Sequence, residues 1–238
     1  MSLKLAFAGL VILLSAPAHA ALQIAFDVNG AAFACVDNAA CDTNPAVGVL
    51  ELADQAIGGV TVNGSITASA HAGTEFLNTS SLSVINGNAF AVPITTTFGD
   101  TGYGGPITGI KLSGSGTWQT AIGSTILLSY AADAADAQGA DFAGDLPGTI
   151  LDTFSNKALT VVDSFSHNGA SPFFTPGPFS MTESASGTLV AGGELINRGQ
   201  TMVASPVPEP QTWLLGLIGF GLVAWLGRKA RTPRYAAL

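Results

Sequence analysis

The chain has 238 residues, a formal net charge of −8 and only 10% charged residues. Lys4 and four basic residues in the last eleven positions lie near the ends, so residues 21–207 hold three basic and fifteen acidic residues, a net charge of −12. This segment has no basic patch to neutralise phosphates, which argues against nucleic acid or anionic lipid as its partner. Its length suits one domain with a sizeable core.

The amino end has the pattern of a secretory signal peptide, which we assign to residues 1–20. Lys4 precedes an apolar run over residues 5–14, and Ala18-His19-Ala20 is a small-x-small cleavage site. Ala21 is then the first mature residue, with cleavage after Ala18 as the alternative. An N-terminal membrane helix is the other interpretation, but a run of about ten apolar residues is short for a membrane span.

The only two cysteines, Cys35 and Cys41, lie close together in the segment F-A-C-V-D-N-A-A-C-D. In an exported protein we expect them to form one local disulfide. A metal pair or a redox pair is the alternative. Five intervening residues do not match the Cys-x-x-Cys spacing of either, and no histidine lies nearby.

Strand patterns recur along the predicted exported domain, residues 21–204, and helix patterns do not. Apolar alternation and β-branched runs between Gly, Asn, Pro and Ser residues predict about ten strands. They fall at 21–28, 47–52, 57–68, 81–85, 90–98, 107–120, 125–131, 149–154, 158–165, 179–190 and 194–196. Asn86-Gly87 is a hairpin signal between two of them. Short strands at this spacing predict an antiparallel β-sandwich of jelly-roll or Greek-key type.

The segment 132–148 has the Gly, Pro and Asp content of a loop and carries the best candidate for a metal site. Ca²⁺ takes about six to eight oxygen ligands, which several carboxylates and carbonyls on one loop can supply. The candidate ligands are Asp133, Asp136, Asp141 and Asp145. Their spacing does not match an EF-hand, and a solvated acidic loop is the alternative. Asp37 and Asp42 in the cysteine loop are weaker candidates, and no other cofactor is indicated.

Catalytic motifs are absent from the sequence, which contains no His-Glu-x-x-His, Gly-x-Ser-x-Gly or P-loop. The predicted mature chain has two histidines, His71 and His167, each flanked by residues typical of surface loops. A Ser/His/Asp triad assembled in space stays open, because its members need not be close in sequence. We expect a protein that is not an enzyme.

The carboxyl end has three parts in a fixed order: a proline-rich linker at 205–211, an uncharged apolar run at 212–227 and a basic segment at 228–238. Pro208 and Pro210 keep the linker extended, so a helix can start only after them. The run predicts one transmembrane helix with its basic end in the cytoplasm. Its interfacial and cytoplasmic anchors are Trp213, Trp225, Arg228, Lys229 and Arg231. A permanent anchor and a transient one fit these residues equally well.

This tail resembles the PEP-CTERM sorting signal of exported bacterial proteins, with Pro208, Glu209 and Pro210 at its Pro-Glu-Pro positions. The resemblance covers about 35 residues. It implies an exosortase, a membrane-embedded transpeptidase-like enzyme, as a processing partner that acts near the motif. It also implies a precursor exported across the inner membrane, held by its C-terminal helix and delivered to the cell surface or extracellular matrix.

Three hypotheses for function follow. The first is a non-enzymatic surface or matrix protein associated with exopolysaccharide and biofilm, because the sorting system that the tail resembles usually accompanies polysaccharide export. The second is a carbohydrate- or calcium-binding lectin-like module, which requires exposed aromatic side chains beside acids; the candidates are Trp118, Tyr103 and Tyr130. The third is a secreted hydrolase that uses His71 or His167.

Overall fold

The computed structural model describes residues 22–71 and 74–206. The predicted signal peptide, Pro-Glu-Pro motif, transmembrane helix and basic tail lie outside this part of the chain. No helix within it is long and apolar enough to cross a membrane. Its twelve strands are β1 (Gln23–Val28), β2 (Ala31–Val36), β3 (Val49–Ile57), β4 (Val60–His71), β5 (Thr74–Asn86), β6 (Val92–Tyr103), β7 (Ile107–Gln119), β8 (Thr125–Asp133), β9 (Thr149–Lys157), β10 (Val162–Thr175), β11 (Phe179–Leu189) and β12 (Glu194–Pro206).

The strands form two six-stranded sheets that pack face to face, which confirms the predicted β-sandwich. The first sheet has the order β2-β1-β6-β11-β8-β9 and the second has the order β10-β7-β12-β5-β4-β3. Neighbouring strands are antiparallel throughout both sheets. Alternation along each strand places one side chain in two between the sheets; on β7, for example, Ile110, Leu112 and Trp118 are buried.

The hairpin predicted at Asn86-Gly87 does not form, whereas another Asn-Gly pair, for which no turn was predicted, closes one. Asn29 and Gly30 have φ values of 52° and 86° and form the hairpin turn between β1 and β2, a strand that the sequence pattern did not predict. Asn86-Gly87 does not form a hairpin, because β5 and β6 lie in different sheets. The buried Asn86 amide instead donates to the carbonyls of Leu189 (3.0 Å) and Val190 (2.8 Å), which joins two loops.

Strands β10 and β12 are much longer than the sequence predicts. Residues 166–175, which lie between the predicted strands 158–165 and 179–190, belong to β10, whose edge position tolerates Pro172. β12 continues to Pro206, two residues beyond the predicted domain boundary, although its ladder shifts register on either side of Arg198. The polar sequence of β12 nevertheless forms a central strand, because β7 and β5 on its two sides supply partners for its backbone hydrogen bonds.

The core contains a buried acid and a buried base that face each other from opposite sheets. Glu183 on β11 is 0% exposed and Arg198 on β12 is 1% exposed. The Arg198 Nη1 donates to Thr96 Oγ1 at 3.0 Å, and its guanidinium lies 5.4 Å from the centroid of the Phe98 ring. Both carboxyl oxygens of Glu183, and the Nε and Nη2 of Arg198, have no hydrogen-bond partner among the described residues.

Burial governs the protonation of this pair. Burial raises the pKa of Glu183 well above its usual 4.5, and the positive charge of Arg198 opposes that shift only in part. Burial also lowers the pKa of Arg198 to about 10, so the guanidinium remains charged at neutral pH. The folded domain therefore holds a proton on Glu183 at pH values where the unfolded chain has released it.

We expect Glu183→Gln to change how stability depends on pH. Above the usual pKa of 4.5, ionisation of Glu183 stabilises the unfolded wild-type chain, while the folded chain keeps this proton and is not stabilised in this way. The free energy of unfolding should fall by up to about 1.4 kcal/mol per pH unit from this group, until the folded-state pKa is reached. Glutamine does not titrate, so the free energy of unfolding of the variant should rise relative to that of the wild type between pH 5 and pH 8. Urea unfolding of both proteins at pH 5 and pH 8 measures this difference in stability. A difference that becomes smaller at pH 8 would contradict the prediction.

Candidate functional site

Both ends of the described domain lie at the same end of the sandwich. Strand β11 is antiparallel to β6, and β6 is antiparallel to β1, so β1 and β11 run in the same direction. After the short 190–193 loop, β12 runs back in the opposite direction. It ends at Pro206, at the end of the sandwich where β1 begins. The C-terminal tail consequently leaves from the end that also carries the cysteine loop, residues 37–48.

The predicted disulfide between Cys35 and Cys41 is confirmed, with an S–S distance of 2.03 Å. Asp42 organises the loop that follows, because its carboxylate accepts hydrogen bonds from the backbone N–H groups of Asn38, Asn44 and Glu51, each at 2.9 Å. Partial burial raises the pKa of Asp42, but these donors outweigh it and hold that pKa below its usual range. This carboxylate therefore has a structural role in the loop.

The acidic segment that follows β8, residues 134–148, is not a free solvated loop. It crosses the outer face of the first sheet and is hydrogen-bonded to two of its strands. Gln23 on β1 donates to the Gly139 carbonyl at 3.1 Å and to Asp141 Oδ1 at 2.8 Å. The Gly144 N–H donates to Thr97 Oγ1 on β6 at 2.7 Å. We call this segment the covering loop.

The calcium prediction finds no support in this arrangement. Asp133 accepts from the backbone N–H groups of Ala135 and Ala137, each at 3.1 Å, and Asp136 accepts from Gly102 at 2.8 Å. The carboxylates are thus used one by one to fix the loop. Among the described residues, no group of three or more His, Cys, Asp or Glu side chains could hold a metal ion, and this includes Asp133, Asp136, Asp141 and Asp145.

The aromatic residues proposed for carbohydrate contact are in the core, so that assignment is wrong. Trp118 is 1% exposed, and Tyr103 and Tyr130 are 0% exposed. The Trp118 Nε1 donates to Asn156 Oδ1 at 2.9 Å, and the Tyr130 hydroxyl donates to the Ser113 carbonyl at 2.8 Å. Each polar group is satisfied internally, because the alternation of β6, β7 and β8 turns these side chains towards the opposite sheet.

An exposed aromatic beside an acid does exist on the covering loop. Phe142 is 65% exposed and directly follows Asp141. Phe142 was not among the residues predicted for the site, although a phenylalanine within a Gly- and Asp-rich loop is a sign that the ring is not a core residue. The loop holds it beside a surface groove of about 300 Å³ on the outer face of β1 and β2. The groove is lined by Ala25, Phe26, Asp27, Ala32, Phe33, Ala34, Asp141, Phe142 and Ala143.

The two histidines lie in strands, contrary to the prediction of surface loops. His71 is the last residue of β4, and His167 is in the middle of β10. The His167 Nε2 lies 2.7 Å from Asp152 Oδ2, and its ring stacks on Phe154 with centroids 4.7 Å apart. Because Asp152 and Phe154 are on β9, these contacts join the edge strands of the two sheets, which is a structural role for His167.

We expect Gly139→Ala to destabilise the domain by loosening the covering loop. A Cβ at Gly139 would overlap the side chain of Thr182 on β11, so the loop or the strand must shift, at a cost of about 1–3 kcal/mol. Gly177→Ala is the matched control, because a Cβ there meets nothing within 4 Å. Urea unfolding of the two variants measures the difference; equal stabilities would show that the loop does not pack on the sheet as described.

The carboxyl tail is similar to a known sorting signal. Residues 206–231 match the family described as the PEP-CTERM protein-sorting motif, which confirms the resemblance seen in the sequence. The match begins at Pro206, the last residue of β12. A motif of this description indicates a protein that is exported and sorted to the cell envelope or surface, and it implies processing by an exosortase.

The described domain has distant structural likenesses. One is a family 61 carbohydrate-binding module in complex with β-1,4-galactotriose, at 10% identity over 50% of this chain and 69% of that chain, with a TM-score of 0.33. Another is a xylan-binding domain from Paenibacillus barcinonensis, at 12% identity over 68% and 88%, with a TM-score of 0.31. These scores are too low to indicate what this chain binds. No curated protein matches the chain in sequence.

Proposed function

We propose that this is a non-enzymatic protein of the cell surface or extracellular matrix, released from its membrane-held precursor by processing at the tail and associated there with exopolysaccharide. The observation that carries the proposal is the sorting-motif match over residues 206–231. The disulfide between Cys35 and Cys41 supports an oxidising location outside the cytoplasm.

The arrangement of the domain supports delivery by the tail. The motif match starts where β12 ends, so no long connection separates the folded domain from the processing site. The cysteine loop lies at this same end, and the covering loop and the groove lie on the side of the sandwich. Tethering through the tail therefore leaves the outer face of the first sheet open to the surroundings.

A non-enzymatic role is supported by how the domain uses its titratable side chains. Asp42 accepts backbone hydrogen bonds within its own loop, and Asp133 accepts them from the start of the covering loop. Asp152 and His167 hold two edge strands together, and Glu183 is enclosed in the core. Side chains engaged in this way maintain the fold, which supports a structural role.

The mature C-terminus tests the sorting proposal. We expect the protein recovered from its native cells to lack the residues after the Pro-Glu-Pro region, as measured by intact mass, and to fractionate with the extracellular matrix. Glu209→Ala should leave the tail in place and keep the protein in the membrane fraction, because the motif loses its single carboxylate. Gln211→Ala, just outside the motif, is the matched control and should be processed normally.

An intact tail in the wild-type protein would contradict the proposal, because the chain would then be a single-pass membrane protein. Processing of Glu209→Ala at the wild-type level would show that the cleavage does not depend on this motif.

A further inference from the structure

We propose that the groove between the covering loop and the β1–β2 hairpin binds sugar rings of a neutral polysaccharide, with Phe142 as the apolar contact and Asp27 and Asp141 as hydroxyl acceptors. This inference rests on the proposed function, because it supplies the surface through which a matrix protein would contact exopolysaccharide. The groove has a volume of about 300 Å³, which is enough for one or two sugar rings of a longer chain.

The floor of the groove is shallow and apolar because it is built from alanines. Ala25 on β1 lies opposite Ala34 on β2, and Ala32 lies opposite Asp27. Alanine is depleted in strands, which favour β-branched and aromatic side chains that would fill this space. The groove is open because these alanine side chains are too small to fill it.

The wall of the groove presents a phenylalanine ring on a backbone that is already fixed. Phe142 is 65% exposed, although an apolar side chain stabilises the folded state only when it is buried. Asp141 before it is held by Gln23, and Gly144 after it is held by Thr97. Because the loop is ordered before any ligand arrives, binding would cost little conformational entropy. The apolar face of a ring such as Phe142 suits the C–H face of a pyranose.

Two carboxylates give the groove its polar chemistry. Asp27 Oδ1 accepts from the Gly30 N–H at 2.9 Å, and Asp141 Oδ1 accepts from Gln23 at 2.8 Å. The Oδ2 atom of each can accept a hydrogen bond from a sugar hydroxyl. Their negative charge, together with the net charge of −12 over residues 21–207, repels uronate or sulfate polymers. The electrostatics therefore select neutral sugars.

The test is affinity electrophoresis of the full chain, purified in detergent, in gels that contain a neutral polysaccharide. The probes are hydroxyethylcellulose and dextran, with alginate as the acidic comparison. We expect retardation by at least one neutral polymer and none by alginate. Phe142→Ala should weaken the association by about tenfold or more, equivalent to about 1.4 kcal/mol. Phe174→Ala is the matched control, because Phe174 is 69% exposed on β10, in the other sheet.

A second variant separates loss of binding from loss of folding. Ala34→Ile adds a side chain that fills the groove and that strands favour, so it should abolish retardation while the urea midpoint stays equal or rises. If no neutral polymer retards the wild-type chain, or if Phe142→Ala and Ala34→Ile bind as the wild type does, the groove is not the site. Either result would leave the processing of the tail unchanged, so it is distinguishable from failure of the proposed function.

Discussion

The structure depends on the burial of β11 on both of its faces. Seven consecutive residues, from Phe179 to Ala185, are buried on this strand, although alternation normally leaves every second side chain in solvent. Phe179, Met181 and Ala185 point into the core between the sheets. Ser180, Thr182 and Ser184 lie on the opposite face and are also buried, and the covering loop lies against Thr182. A small polar face is therefore needed on β11 so that the loop can approach closely.

That close approach determines the candidate site. Gly139 lies directly against Thr182, and Gly99 leaves space for the Gly139 carbonyl, so two glycines bring the loop onto the sheet. Asp133 at the end of β8 accepts from the loop backbone, Asp136 accepts from Gly102 and Asp141 accepts from Gln23, so these acids are not gathered around an ion. In this position of the loop, the Phe142 ring lies over the outer face of the first sheet, outside the core, and lines the groove.

The centre of the sandwich includes an ionisable pair that costs stability. Glu183 and Arg198 are both buried, and most of their polar atoms lack partners among the described residues. A buried charge is tolerated when nearby dipoles and aromatic rings offset its desolvation, and Arg198 has Thr96 and Phe98 for this purpose. The pair lies on β11 and β12, which are inner strands of opposite sheets.

Local patterns in the sequence were sufficient to predict the all-β class, most strands, the Cys35–Cys41 disulfide and the sorting tail, because each depends on neighbouring residues or on a short ordered motif. The sequence alone did not determine which strands pair. Asn29-Gly30 and Asn86-Gly87 are equivalent turn signals, yet only the first closes a hairpin, because the second lies where the chain crosses between sheets. Only the tertiary structure placed Trp118, Tyr103 and Tyr130 in the core and left Phe142 outside, because burial depends on what covers each face. The groove was equally unpredictable, since it forms between β1, β2 and a loop more than 100 residues away in the chain.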